Sequence, residues 1–133
     1  MTVNKAPDGA LFPYYYKGGE LFGAHFGSFF KDEERLLELM QAEEQFIAQA
    51  HHPLPVWIDF YETTLSERVL TGFLQSMQRL RPFITRLAIV GCSRWDRWRL
   101  GRLVKNGSIE LPLPLRYFDD PEEAKTWLVS ERG

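Results

Sequence analysis

The chain has 133 residues, 44% of them hydrophobic and 26% charged, which places it among ordinary folded proteins and excludes a disordered or fibrous one. At this length folding removes about two thirds of the unfolded surface from water, so one sizeable core is expected, as a single domain over 1–133 with 1–9 flexible. Sixteen Lys and Arg against eighteen Asp and Glu leave a formal charge of −2, which gives the whole molecule no reason to seek nucleic acid or an anionic membrane.

Residues Met1 to Gly9 carry no basic-then-apolar leader pattern, and no apolar run reaches bilayer-spanning length, so a cytoplasmic location is expected. Cys92 is the only cysteine, which rules out an internal disulfide and a multi-cysteine metal site. Neither a metal nor a cofactor is expected.

Leu11 to Tyr16 and Glu20 to Phe26 are aromatic-rich runs separated by Lys17-Gly18-Gly19, a pattern that predicts an antiparallel hairpin. Pro13 cannot donate to a ladder, which puts the first strand at a sheet edge facing solvent or a second chain. From Lys31 to Ala50, Leu36, Leu39, Met40 and Ile47 recur at helical spacing behind the acidic run Asp32 to Glu34, until Pro53 and Pro55 break the helix.

Val56 to Phe60 reads as a strand. Thr64-Leu-Ser-Glu67 fits a capping box that opens a helix with Val69, Leu70, Phe73, Leu74, Met77 and Leu80 on its apolar face, stopped at Pro82. Leu87 to Val90 is apolar throughout, as a strand buried on both faces would be, and Gly91-Cys92-Ser93 leads to a helix reaching about Lys105 and ended by Asn106-Gly107. The third unit is a strand, Leu115 to Phe118, then Asp120 as cap and Pro121 at the first position of a helix burying Ala124, Trp127 and Leu128. Alternation of strand and helix favours parallel pairing, which gathers Asp59 to Thr64, Cys92 to Trp95 and Asp119 to Asp120 at one edge of the sheet.

The residues Thr85-Arg-Leu-Ala-Ile-Val-Gly91 followed by Trp95, the run Arg116-Tyr-Phe-Asp-Asp-Pro-Glu-Glu-Ala-Lys-Thr-Trp-Leu128, and Val56 to Phe60 resemble the STAS domain, the fold of the bacterial anti-sigma-factor antagonists. More closely they resemble the SpoIIAA-like, STAS/SEC14-related family. The resemblance implies an α/β fold with an N-terminal antiparallel hairpin and repeated β-α units on a mixed, mostly parallel sheet. It also implies a small bacterial, non-enzymatic domain that binds proteins, nucleotides or apolar ligands. Antagonists of this type carry a phosphorylatable Ser in an Asp-Ser-x-Gly stretch at the helix start after the third strand. This chain departs from that pattern with Thr64-Leu-Ser-Glu67, where Thr63, Thr64 and Ser66 supply the nearby hydroxyls.

Cys92 sits between a strand and a helix start, where a helix N-terminus can lower a thiol pKa. A phosphate-cradling Cys-x5-Arg loop is missing, because the sixth residue after Cys92 is Trp98 and both Arg94 and Arg97 miss the spacing. The first reading of Cys92 is therefore a small buried hydrophobe. Ser93 to Lys105 holds five basic residues and two tryptophans against one acid, which can grip phosphates or simply form a solvated face. Asp59 and Glu62 could share acid and base roles, with loop hydrogen bonding the plainer fate of Asp59. His51 and His52 are adjacent and lack metal spacing, and His25 is read as structural or exposed.

The expectation is a binding or regulatory module that engages a protein partner, with an apolar or nucleotide ligand at the strand-end loops. Its candidate contacts are Asp59, Thr63, Thr64, Ser66, Cys92, Ser93, Arg94 and Asp119. The aromatics of the hairpin are read first as core packing, with an apolar pocket or a homodimer surface as the alternative. The competing expectation is a small thiol- or carboxylate-dependent enzyme using Cys92, Ser93 and Arg94, or Asp59.

Overall fold

A computed structural model describes residues 4–5, 11–12, 14–50, 52–106 and 114–130. Strands β1 (Asn4–Lys5) and β2 (Leu11–Phe12) pair antiparallel as a small ribbon. The remaining elements are β3 (Tyr14–Tyr16), β4 (Gly19–His25), α1 (Glu33–Ile47), β5 (Leu54–Asp59), α2 (Glu67–Leu80), β6 (Ile84–Val90), α3 (Arg94–Asn106), β7 (Leu115–Phe118) and α4 (Pro121–Val129). The expected flexibility of 1–9 falls largely outside the described residues, and within that stretch Asn4–Lys5 is strand.

The main sheet has the order β3-β4-β5-β6-β7, with only the β3–β4 pair antiparallel. The hairpin turn is the two-residue Lys17-Gly18, both at positive φ, the conformation whose twist matches the flanking strands. The expected hairpin strand Leu11 to Tyr16 is split: Tyr14–Tyr16 is the edge strand β3, Leu11–Phe12 pairs with β1 instead, and Pro13 lies outside the described residues. Each crossover from β4 to β7 steps one strand in the same direction, so a common handedness places α1, α2 and α3 over one face. Helix α4 follows the last strand, closes no crossover, and folds back over the other.

Side-chain alternation builds the two layers. Phe22, Ala24, Phe26, Val56, Ile58, Phe60, Leu87 and Ile89 join Leu36, Met40, Leu70, Phe73 and Met77 in the larger core. The intervening Leu21, Trp57, Ala88 and Val90 meet Ala124, Trp127 and Leu128 of α4. Leu87 to Val90 is buried on both faces, as its apolar run predicts. Arg86 donates to the Trp127 carbonyl at 2.6 Å and to Ser130 Oγ at 2.9 Å, so a cation closes the C-terminal end of α4.

Several boundaries differ from the sequence reading. Helix α1 starts two residues later, with Asp32 as N-cap accepting from the Arg35 N–H, and β5 starts earlier because a register shift at Leu54/Pro55 accommodates the proline. The cap of α2 is Ser66 rather than Thr64: its Oγ accepts from the Val69 N–H at 3.2 Å and donates to Glu33 of α1. Helices α1 and α2 are also tied by Arg68 to Glu34 and by Arg79 and Ser76 to Glu44. Gly107 lies outside the described residues.

Candidate site at the strand-end edge

Parallel pairing sets the last residues of the core strands side by side, with His25 opposite Asp59, Asp59 opposite Val90, and Val90 opposite Phe118. The pairing continues into the loops. Ser28 N–H donates to the Tyr61 carbonyl at 2.7 Å, Phe30 N–H to the Glu62 carbonyl at 2.9 Å, and Thr64 N–H to the Phe30 carbonyl at 2.6 Å. Two glycines make this approach feasible. A Cβ on Gly27 would lie 2.4 Å from Asp59 Oδ1, and Gly91, at φ +85°, passes so close to Tyr61 that a Cβ would meet its backbone nitrogen at 2.9 Å.

Arg97 and Tyr61 tie the remaining loops together. Arg97 donates to the Cys92 carbonyl at 3.2 Å and to Asp119 Oδ1 at 2.9 Å and lies over the Tyr117 ring, while the Tyr61 hydroxyl donates to the Asp119 carbonyl at 2.9 Å. Burial first, then the charges of Asp59, Asp119 and Asp120, raises the Tyr61 phenol pKa above its ordinary value. The expected convergence of Asp59 to Thr64, Cys92 to Trp95 and Asp119 to Asp120 at one edge is what the strand ends produce.

The individual candidates take separate parts in that edge. Asp59 Oδ2 lies within hydrogen-bond distance, 2.8 Å, of His25 Nδ1, and His25 stands edge-on to Trp57 with centroids 4.9 Å apart. Sequence reasoning placed no histidine beside Asp59. Thr63 is a loop clasp, donating to the Phe26 carbonyl at 2.8 Å and accepting from the Phe29 N–H. Thr64 is exposed, and Ser66 is occupied as the α2 cap.

Cys92 is buried within the larger core, and burial, then the nearby Asp96 charge, pushes its thiol up to about 12 against the opposing effect of Arg97. Ser93 caps α3, bonding the Asp96 N–H at 3.1 Å and the Asp96 carboxylate at 3.0 Å. Arg94 is exposed, so it and Cys92 share no surface. Asp119 is held by Arg97. His52 pairs with Glu20 at 2.6 Å, and His51 lies outside the described residues.

Four large aromatics remain exposed where chain leaves the core strands: Phe30 after β4, Tyr61 after β5, and Trp95 and Trp98 on α3 after β6. In the hairpin, Phe22 and Phe26 are buried whereas Tyr14 and Tyr15 are exposed. An apolar cleft of about 190 Å³ opens between α2, α3 and β7, too small for a nucleotide or drug-sized ligand. Among the described residues no group of three or more His, Cys, Asp and Glu is placed to hold a metal ion, and no helix is long and apolar enough to cross a membrane.

Among solved structures, the chain is similar to an uncharacterized protein of the DUF3478 family from Shewanella loihica PV-4, whose crystal structure has a SpoIIAA-like fold. The match covers 96% of this chain and 90% of that one at 17% identity, with a TM-score of 0.50. At that identity the likeness establishes architecture alone, and this chain has the SpoIIAA-like α/β fold that its sequence resemblance implied. No protein-family model and no curated protein matches the sequence.

Proposed function

We propose that the chain is a STAS-like, non-enzymatic binding module that engages a protein partner through its strand-end edge. The observation that carries this reading is the run of exposed aromatics there, with Phe30 60%, Trp95 64% and Trp98 52% accessible. Aromatic side chains left in water on a rigid, hydrogen-bonded rim are what protein interfaces use as anchors.

The thiol-enzyme alternative loses its main support in Cys92, because a buried thiol pushed up to about 12 is neither a thiolate at neutral pH nor open to a substrate. The carboxylate alternative gains a partner in His25 for Asp59, but the clefts beside α4, between α1 and α2, and between α2 and α3 include neither residue in their walls.

Site-specific photocrosslinking in cells tests the binding reading. A benzophenone side chain at Phe30 or Tyr61 is expected to capture the same protein, while one at the exposed Gln78 near the far end of α2 captures none. Equal capture at all three positions, or none at any, would overturn the assignment of the edge.

A further inference from the structure

The outward face of α3 is chemically unlike the rest of that helix. At 3.6 residues per turn, Arg94, Trp95, Trp98, Gly101, Arg102 and Lys105 fall within about 120° of the helix circumference and extend about 17 Å along it. All six are exposed. Asp96, the one acid of the helix, lies off that arc and is engaged by Ser93 and Arg99.

The other two arginines are used internally. Arg97 holds the Cys92 and Asp119 loops, and Arg99 reaches the Leu65 carbonyl. Among the described residues no carboxylate pairs with Arg94, Arg102 or Lys105. The tryptophans stack on each other at 5.0 Å and 19°, and the Arg102 guanidinium lies over the Trp98 ring at 5.3 Å. The column packs two solvent-exposed indoles against each other and a guanidinium. Core packing does not account for them, since Leu100, Leu103 and Val104 already supply the inward face.

We infer that this face docks an acidic segment of a protein partner, one that sets apolar side chains between its Asp and Glu residues. The inference rests on the protein-binding reading above and names the partner's chemistry. Tryptophan and arginine are the side chains from which interface hot spots are most often built, and side chains already stacked on one another have less freedom to lose on binding. Three cations along three turns, without a carboxylate partner among the described residues, match a few carboxylates. They are too few for nucleic acid or an anionic bilayer, whose affinity grows with the number of phosphates neutralised.

The test uses the full chain and a fluorescein-labelled peptide of Glu with interspersed Leu, followed by anisotropy and by tryptophan emission. A Lys and Leu peptide, an oligothymidylate and phosphatidylserine vesicles serve as comparison probes. The acidic peptide is expected to bind in preference to all three, to shift the tryptophan emission, and to weaken with added salt. Binding should fall about tenfold in Trp95→Ala and in Trp98→Ala, and at least as much in the combined Arg94→Gln, Arg102→Gln, Lys105→Gln variant. Because these positions are exposed, their thermal midpoints should stay near that of the parent.

Equal binding of acidic and basic peptides, no loss in the variants, or tighter binding of the oligonucleotide or vesicles would overturn the inference. Capture of a partner through Phe30 and Tyr61 with no acidic-peptide binding would leave the binding module standing and remove only the acidic segment.

Discussion

Alkylation of Cys92 offers a quantitative test of how the strand-end edge is built. The thiol is 5% exposed, and its folded-state pKa is raised from an ordinary value near 9 to about 12. Iodoacetamide reacts with the thiolate, so at neutral pH the folded protein offers about a thousandfold less reactive sulfur than the unfolded chain, before any steric shielding is added. Labelling followed by mass spectrometry should therefore run much slower in the native protein than in guanidinium, the lower thiolate fraction outweighing the greater intrinsic nucleophilicity of a higher-pKa thiolate. The residual native rate should track the opening equilibrium and rise steeply as urea approaches the unfolding midpoint. A native rate equal to or faster than the denatured control would refute the buried placement of Cys92 and return the thiol-enzyme reading to consideration.

The same placement predicts alkaline sensitivity. A pKa raised by folding adds stability that is fully present below about pH 9 and lost as pH climbs toward 12; Tyr117, raised the same way to about 12, adds to the loss, and Cys92→Ala should flatten the pH dependence of the urea midpoint. Ser66→Ala removes the α2 cap and its bond to Glu33 and should cost about 1 kcal/mol in urea unfolding, whereas Thr64→Ala should cost little. Gly27→Ala would force a Cβ against Asp59 and the Tyr61 carbonyl, costing about 1–3 kcal/mol and separating Asp59 from His25, a change read in the His25 imidazole NMR shifts. The Arg79 hydrogen bond lowers the Glu44 pKa in the fold, so this pair stabilises above the ordinary carboxylate range and loses that contribution as pH falls; Glu44→Gln should make acid unfolding less steep.

Local grammar was legible wherever one element's residues determine its form. Asp120 followed by Pro121 set the start of α4, Pro82 set the end of α2, and the apolar run Leu87 to Val90 identified an inner strand, because capping, ring sterics and two-sided burial act within a few residues. The misplaced α2 cap has a physical cause. Thr64 and Ser66 both precede acidic or helical residues, and the choice fell to Ser66 because Glu33 of α1 stands where its hydroxyl can donate. Thr64 is meanwhile drawn into the loop pairing by its N–H bond to Phe30.

The candidate site was less legible because its parts meet only through strand register. His25 and Asp59 are 34 residues apart, and nothing local marks them as partners. Their strands do carry a usable signal: Phe22, Ala24 and Phe26 face one layer and Val56, Ile58 and Phe60 face the same one, which turns His25 and Asp59 together to the other side. Using it requires knowing that β4 and β5 are neighbours, a fact of strand order. Trp95 and Trp98 pose the opposite problem. Their spacing is local and visible, but indoles at such spacing usually fill a core, and only the completed packing of Leu100, Leu103 and Val104 against the sheet shows that the core is already full. The surplus aromatics are thus defined by what the fold leaves over. That is why the proposed binding face follows from the packed fold and not from a motif, and why substitutions there are expected to alter recognition while sparing stability.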